Sequence, residues 1–248
     1  MGSLPLLRQG TLQDKVAVIT GGGSGLGKAT AVALGREGAG VVIASRDRDR
    51  LEAAARDIRS ASAATVLAVP ADVTDEAQVV NLFDRTVRAF GRLDILINNA
   101  GMWEEAAIDQ MTLDCWRKTL DTCLTGPFLC TREAFKIMKS QGGGRIINIG
   151  SIAALSPRST SAHYSSAKLG LVALTRATAL AGRDYGIVAS CLHPGNMATA
   201  MMDGLEHEPM IAVDDVANIL VTMASLPLNT NMLDTIVFPT AQPFLGRG

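Results

Sequence analysis

The chain has 248 residues, 23 Lys and Arg against 24 Asp and Glu, with 48% of residues hydrophobic and 19% charged. That length can hold a full core without disulfide or metal staples, and the composition excludes disorder of the whole chain. The near-zero charge with scattered basic residues offers no footprint for a nucleic-acid backbone, and no run reaches the roughly 18 apolar residues of a membrane helix, so a cytoplasmic protein with a small-molecule partner is expected.

Residues 15–20 form a continuous apolar strand candidate, followed by a glycine cluster and a helix over 26–36. Strand, tight turn and helix in that order open a βαβ unit. The alternation continues with strands at 41–45, 65–69 and 93–97 and helices at 48–60 and 75–90. It resumes with helices at 112–139, 162–184 and 213–225 and strands at 145–149, 188–192 and 233–238. No Pro/Gly/Ser-rich linker divides the chain. The pattern predicts an α/β fold: a single doubly wound domain over 1–248, with seven parallel strands, helices on both faces, and ligands beyond the carboxyl ends of the strands.

Thr20-Gly21-Gly22-Gly23-Ser24-Gly25-Leu26-Gly27 lies in the first strand–helix turn. Backbone N–H groups and the positive end of a helix can hold a pyrophosphate there, and a Cβ would block its approach. The spacing is TGxxxGxG. Further along stand Ala71-Asp72-Val73, Asn98-Asn99-Ala100-Gly101, Ser151, Tyr164 with Lys168, and Pro194-Gly195 followed by Thr199. In this order and spacing the motifs resemble the short-chain dehydrogenase/reductase family across nearly the whole chain.

That resemblance implies a Rossmann-type fold and a nicotinamide dinucleotide. Thr20, Gly21, Gly23, Ser24, Gly25, Leu26 and Gly27 would form the cofactor turn. Ser45, Arg46, Asp72, Val73 and Asn98 would line the adenosine side, with Ala100, Gly101, Pro194, Gly195, Met197 and Thr199 nearer the nicotinamide. At the end of the second strand a carboxylate would bind the ribose diol, whereas a cation would receive a 2′-phosphate. Ser45-Arg46 favours NADP. Asp47 stands 20 residues after Gly27, a spacing that suits a diol-binding acid, or it caps the next helix.

Tyr164 and Lys168 at i and i+4 share a helix face, and a nearby ammonium favours the ionised phenol. In the family, Tyr is the acid/base, Ser151 would hold and polarise the carbonyl, and Lys168 would also bind the nicotinamide ribose. The implied reaction is hydride transfer between the cofactor and a ketone, aldehyde or alcohol. Two alternatives stay open: a catalytically weak dinucleotide sensor or scaffold, and an NAD-linked epimerase or dehydratase. Cys123 stands where many members carry an Asn whose main-chain carbonyl holds a relay water. Pro127 has no N–H to give to the Cys123 carbonyl, so that oxygen is expected to remain free for the role.

Trp103, Ile152, His163 and Met197 adjoin these motifs and are candidate substrate contacts. The loop near 195–212 would cover the substrate, with Met201 and Met202 as an adaptable lid. His193 reads as structural, and Glu206, His207 and Glu208 as a solvated loop. Cys115, Cys123, Cys130 and Cys191 show no metal-ligand spacing; in a helix, successive ones among the first three would lie about 11 Å apart, too far for a disulfide. The family resemblance further implies a homotetramer or homodimer, with the helices around 112–139 and 162–184 at the interface.

Overall fold

The apolar run predicted as the first strand forms β1 (Val16–Thr20), buried along its whole length. Ala17 and Ile19 enter one hydrophobic core, while Val16 and Val18 enter a second core on the opposite face. A strand covered on both sides therefore carries no polar alternation. The computed structural model describes residues 11–199 and 208–243. The Met201–Met202 lid, Glu206 and His207 lie outside the described residues.

From β1 the chain passes through α1 (Gly25–Arg36), β2 (Gly40–Ser45), α2 (Arg48–Ser62), β3 (Val66–Pro70), α3 (Glu76–Phe90) and β4 (Ile95–Asn98). It continues with α4 (Leu113–Leu120), α5 (Gly126–Gln141), β5 (Gly144–Ile149), α6 (Ala162–Gly182), β6 (Ile187–Pro194), α7 (Val213–Ser225) and β7 (Asp234–Val237). The strands form one parallel sheet in the order β3-β2-β1-β4-β5-β6-β7. Helices α1, α2 and α7 supply one core, and α3 and α5 the other. The order reverses between β1 and β4, where a crevice opens at the strand ends.

The helix expected over 112–139 is interrupted. Between α4 and α5 lies a π-helical turn, Asp121–Thr125, in which the Gly126 N–H donates to the Asp121 carbonyl, five residues back. Pro127 at the start of α5 cannot supply an ordinary i→i−4 bond, so the ladder widens there. Gly126 meets this bend at close range, since a Cβ would lie 2.7 Å from Cγ2 of Val73.

At the opposite end of the strands from the crevice, Asp94 fastens the start of the central strand β4. Its carboxylate accepts from the Val16 N–H at 3.0 Å and from Arg92 Nε and an η nitrogen at 2.7 Å each, with Lys15 at 3.4 Å. Burial opposes the ionised form, yet Arg92, the Val16 N–H and Lys15 outweigh it and hold the carboxyl below its ordinary value of 3.8. A lowered folded-state pKa gives stability that is present above the unfolded value and lost as pH falls through the folded one. Asp94→Asn is therefore expected to lose about 1–3 kcal/mol at neutral pH, with the difference from wild type shrinking below about pH 4 in urea unfolding.

Candidate active site

The floor of the crevice is built by β1 and the segment after β4. Thr20 Oγ1 accepts the N–H groups of Asn99 and Ala100 at 3.0 Å each, and Asn99 Nδ2 donates to the Thr20 carbonyl at 2.9 Å. Gly21 and Gly25 take φ of 66° and 51°, a region that disfavours a side chain. A Cβ on Gly27 would collide with the Gly21 carbonyl and lie 2.6 Å from Asn99 Nδ2. The start of α1 is left open: Ser24 makes no side-chain cap and the first turn holds no acid. By contrast, Asp47, Asp75 and Thr112 cap α2, α3 and α4 through their side chains.

A cleft of about 360 Å³ runs from this turn to the reacting groups, lined by Gly21, Ser24, Gly25 and Leu26 at one end and Ser151, Tyr164 and Lys168 at the other. Ala100, Gly101, Pro194, Gly195, Met197 and Thr199 line it as well, as do Trp103 and Ile152 of the expected substrate contacts. Lys168 Nζ stands 5.5 Å from the Tyr164 ring centre and donates to the Ile149 carbonyl at 2.7 Å. Ser151 Oγ accepts the Ala153 N–H at 3.1 Å, which leaves its O–H to donate elsewhere.

The phenol does not titrate in the direction expected from Lys168 alone. Burial pushes the Tyr164 pKa above its ordinary value of 10.0, against the lowering pull of Lys168 and of a hydrogen bond with Ser151. Desolvation of the phenolate is the larger effect. For Lys168, burial opposes the charge, but the ionised forms of Tyr164, Cys123 and Cys191 outweigh it and raise the pKa above its ordinary value of 10.5. Cys123 is fully buried, and its thiol donates to the Met102 carbonyl at 3.4 Å.

Several predicted residues do not line this cleft. Asn98 turns inward: Nδ2 donates to Asn148 Oδ1 at 2.8 Å and to Thr131 at 3.0 Å, because the last residue of β4 faces β5 and α5 rather than the crevice. Val73 is buried against Gly126. Asp72 accepts the N–H and hydroxyl of Thr74 at 2.9 and 2.8 Å in the turn after β3. His163, expected to face substrate, is fully buried and does not line the cleft; the first turn of α6 carries Tyr164 into the cleft and its predecessor into the packing. Gly23 approaches Ser45, where a Cβ would lie 3.0 Å from the hydroxyl.

Glu208 is not simply solvated. Its carboxylate accepts from Arg158 at 2.6 Å and from Asn196 Nδ2 at 2.5 Å, joining the loop after β5 to the segment after β6. Sequence reading also missed Arg158, Ser161, Asn99 and Asn196 as lining residues. Arg158 and Ser161 fall between Ser151 and Tyr164, and a chain running between two site residues is the signal that could have found them.

Residues 15–209 match the family described as short chain dehydrogenase. The (2S)-[(R)-hydroxy(phenyl)methyl]succinyl-CoA dehydrogenase subunit BbsD of Thauera aromatica is 37% identical over 86% of this chain and 90% of its own. The 3-oxoacyl-[acyl-carrier-protein] reductase of Synechocystis is 36% identical over 81% of each chain. A short-chain type dehydrogenase/reductase from Mycobacterium marinum, seen in a crystal structure, superposes with a TM-score of 0.88 at 28% identity, covering 94% of this chain and 97% of its own. The chain belongs to the short-chain dehydrogenase family and is an oxidoreductase of that type. The family binds a nicotinamide dinucleotide.

The residues present fit such a group, since the glycine cradle leaves main-chain N–H groups and an uncapped helix start facing the cleft. The main-chain N–H groups of the glycine turn would hold its pyrophosphate end, braced from below by Thr20 and Asn99, with Tyr164, Lys168 and Thr199 toward the reactive ring. Because a Cβ at position 27 meets backbone rather than a movable side chain, Gly27→Ala is expected to weaken NADPH binding at least tenfold, or about 1.4 kcal/mol, in a fluorescence titration.

Proposed function

We propose that the chain interconverts a ketone or aldehyde with an alcohol by hydride transfer, preferring NADP(H), with Tyr164 giving or taking the proton. The observation that carries this reading is the convergence of Ser151, Tyr164 and Lys168 on one wall of the cleft that begins at the glycine turn. A bound nicotinamide dinucleotide supplies or accepts the hydride. Ser151, with its oxygen already accepting from Ala153, directs its hydroxyl proton at the substrate oxygen. Tyr164 donates to that oxygen as it gains charge, and the Lys168 ammonium stabilises the phenolate left behind. The 3-oxoacyl group in the name of the Synechocystis relative supports a ketone as the oxidised partner.

The preference for NADP rests on Arg46. It is exposed at the end of β2 and makes no ion pair among the described residues, whereas the Asp47 carboxylate accepts the Arg50 N–H and is occupied in capping α2. An unpaired guanidinium there suits a 2′-phosphate, with Ser45 adding a hydroxyl. Arg46→Ala is expected to raise KM for NADPH by about tenfold or more with little change for NADH, as fits the roughly 1.5–3 kcal/mol of a charged hydrogen bond. Equal effects on the two cofactors would overturn the assignment.

Following the absorbance of NADPH over a panel of ketones and aldehydes tests the reaction itself. Tyr164→Phe is expected to cut turnover by a factor of about 10²–10⁴ while retaining cofactor binding. Turnover that survives this change would remove Tyr164 from the role. The π turn forms with Cys123 in place, so Cys123→Asn is expected to change turnover by less than about tenfold.

We also propose assembly into a dimer or tetramer through α5 and α6. Phe128, Leu169 and Leu180 leave large apolar side chains exposed on these two helices.

A further inference from the structure

The ladder between β5 and β6 ends one step before Ser151. Ile149 pairs with Leu192 as the last matched residues, and the Gly150 N–H donates to the Leu192 carbonyl at 2.7 Å. Ser151 then leaves the sheet with no further strand partner on β6. The side chain of His193, the next residue of β6, occupies that place. Its Nδ1 lies 3.2 Å from the Ser151 nitrogen and 2.9 Å from the Ser151 oxygen, and the ring is fully buried. On the far side, Nε2 lies 2.9 Å from an oxygen of Asp234 on β7, and Asp234 is itself paired with Arg176 of α6 at 3.0 Å.

We propose that His193 is a positioning residue that clamps the main chain of Ser151, with Asp234 lying against the other side of the ring, and so sets where the Ser151 hydroxyl stands. The clamp does not depend on one protonation state. With the proton on Nε2, Nδ1 accepts the Ser151 N–H; with both nitrogens protonated, Nδ1 donates to the Ser151 carbonyl. In both states the Asp234 carboxylate stands 2.9 Å from Nε2 as an electrostatic neighbour, without a hydrogen bond between them. The short helical turn that follows, Ile152–Ala154, ties Ser151 on one side through the Ala153 and Ala154 N–H groups, which bond its Oγ and its carbonyl at 3.1 Å each, and His193 ties the same residue to the sheet.

Gly150 supplies an independent sign that the ring is fitted to this place. A Cβ there would lie 2.5 Å from His193 Nδ1 and 2.9 Å from the sulfur of Cys191. The imidazole lies against the backbone immediately before Ser151, where an ordinary side chain would displace it. This inference rests on the role proposed for Ser151, and the experiment separates the two.

The test compares His193→Leu, which keeps bulk but removes both nitrogens, with His193→Asn, which keeps a polar atom near the Nδ1 position. Hydrogen exchange of the peptide containing Ser151 reads the clamp without any substrate. His193→Leu is expected to speed exchange at the Ser151 amide by about tenfold or more with β5 unchanged, and His193→Asn to recover most of the protection. In turnover, His193→Leu is expected to lower kcat about tenfold while the NADPH dissociation constant stays within about twofold, and the loss should vanish in a Ser151→Ala background.

Unchanged exchange at Ser151, or a loss of turnover of the same size when Ser151 is already Ala, would overturn the clamp. If wild-type protein reduces no carbonyl in the panel, the hydride-transfer reading fails while the exchange measurement still decides the clamp. Should His193→Leu not fold, His193→Gln, which moves the polar atom away from the Nδ1 position, takes its place, and an unaltered Ser151 amide in that variant would equally refute the proposal.

Discussion

The place where α1 crosses beneath the end of β1 governs the rest of the site. Gly27 packs so closely on the Gly21 carbonyl and on Asn99 that no side chain fits between them. This contact sets how deeply the helix start sits in the crevice. Thr20 extends the same arrangement sideways by accepting from two successive N–H groups after β4. Three segments distant in sequence thus meet through main-chain atoms, and the cleft inherits its shape from contacts that leave little room for rearrangement.

How much of this was legible in the sequence depended on whether a residue acts through the backbone or through a side chain. The strands were readable because parallel strands buried on both faces leave continuous apolar runs such as 16–19, and the glycine turn because the approach of backbone to backbone demands that residue. Tyr164 and Lys168 followed from the resemblance of their motif to the family's, with helix spacing placing both on one face. That the side chains of Asn98 and His163 turn into the packing was not legible, because adjacency in sequence says nothing about which side of a strand end or helix turn a residue takes. Arg158, Asn196 and Glu208 come together only in three dimensions, and no local pattern announces an ion pair spanning 50 residues.

The direction of the Tyr164 shift illustrates the same limit in energetic terms. Spacing correctly identifies the ammonium that favours the phenolate, yet it carries no information about desolvation, which acts oppositely and is larger here. The π turn is a related case. Pro127 announces that one helical bond is missing, but the response of the chain, a wider turn rather than a break, follows from the packing of Gly126 on Val73 and of Cys123 beneath Met102.

The inward-facing Asn98 has a consequence for how the chain finds its fold. In a sheet whose strands are apolar on both faces, sliding one strand past its neighbour exposes little hydrophobic surface, so burial alone specifies alignment weakly. Asn98 and Asn148 are direct partners across β4 and β5, and their amides join with Thr131 and Thr175 from the two covering helices. A misaligned pairing would strand these amides in a dry interior. The polar cluster thus acts as a checksum on strand alignment, rejecting wrong pairings that the greasy surfaces around it would accept.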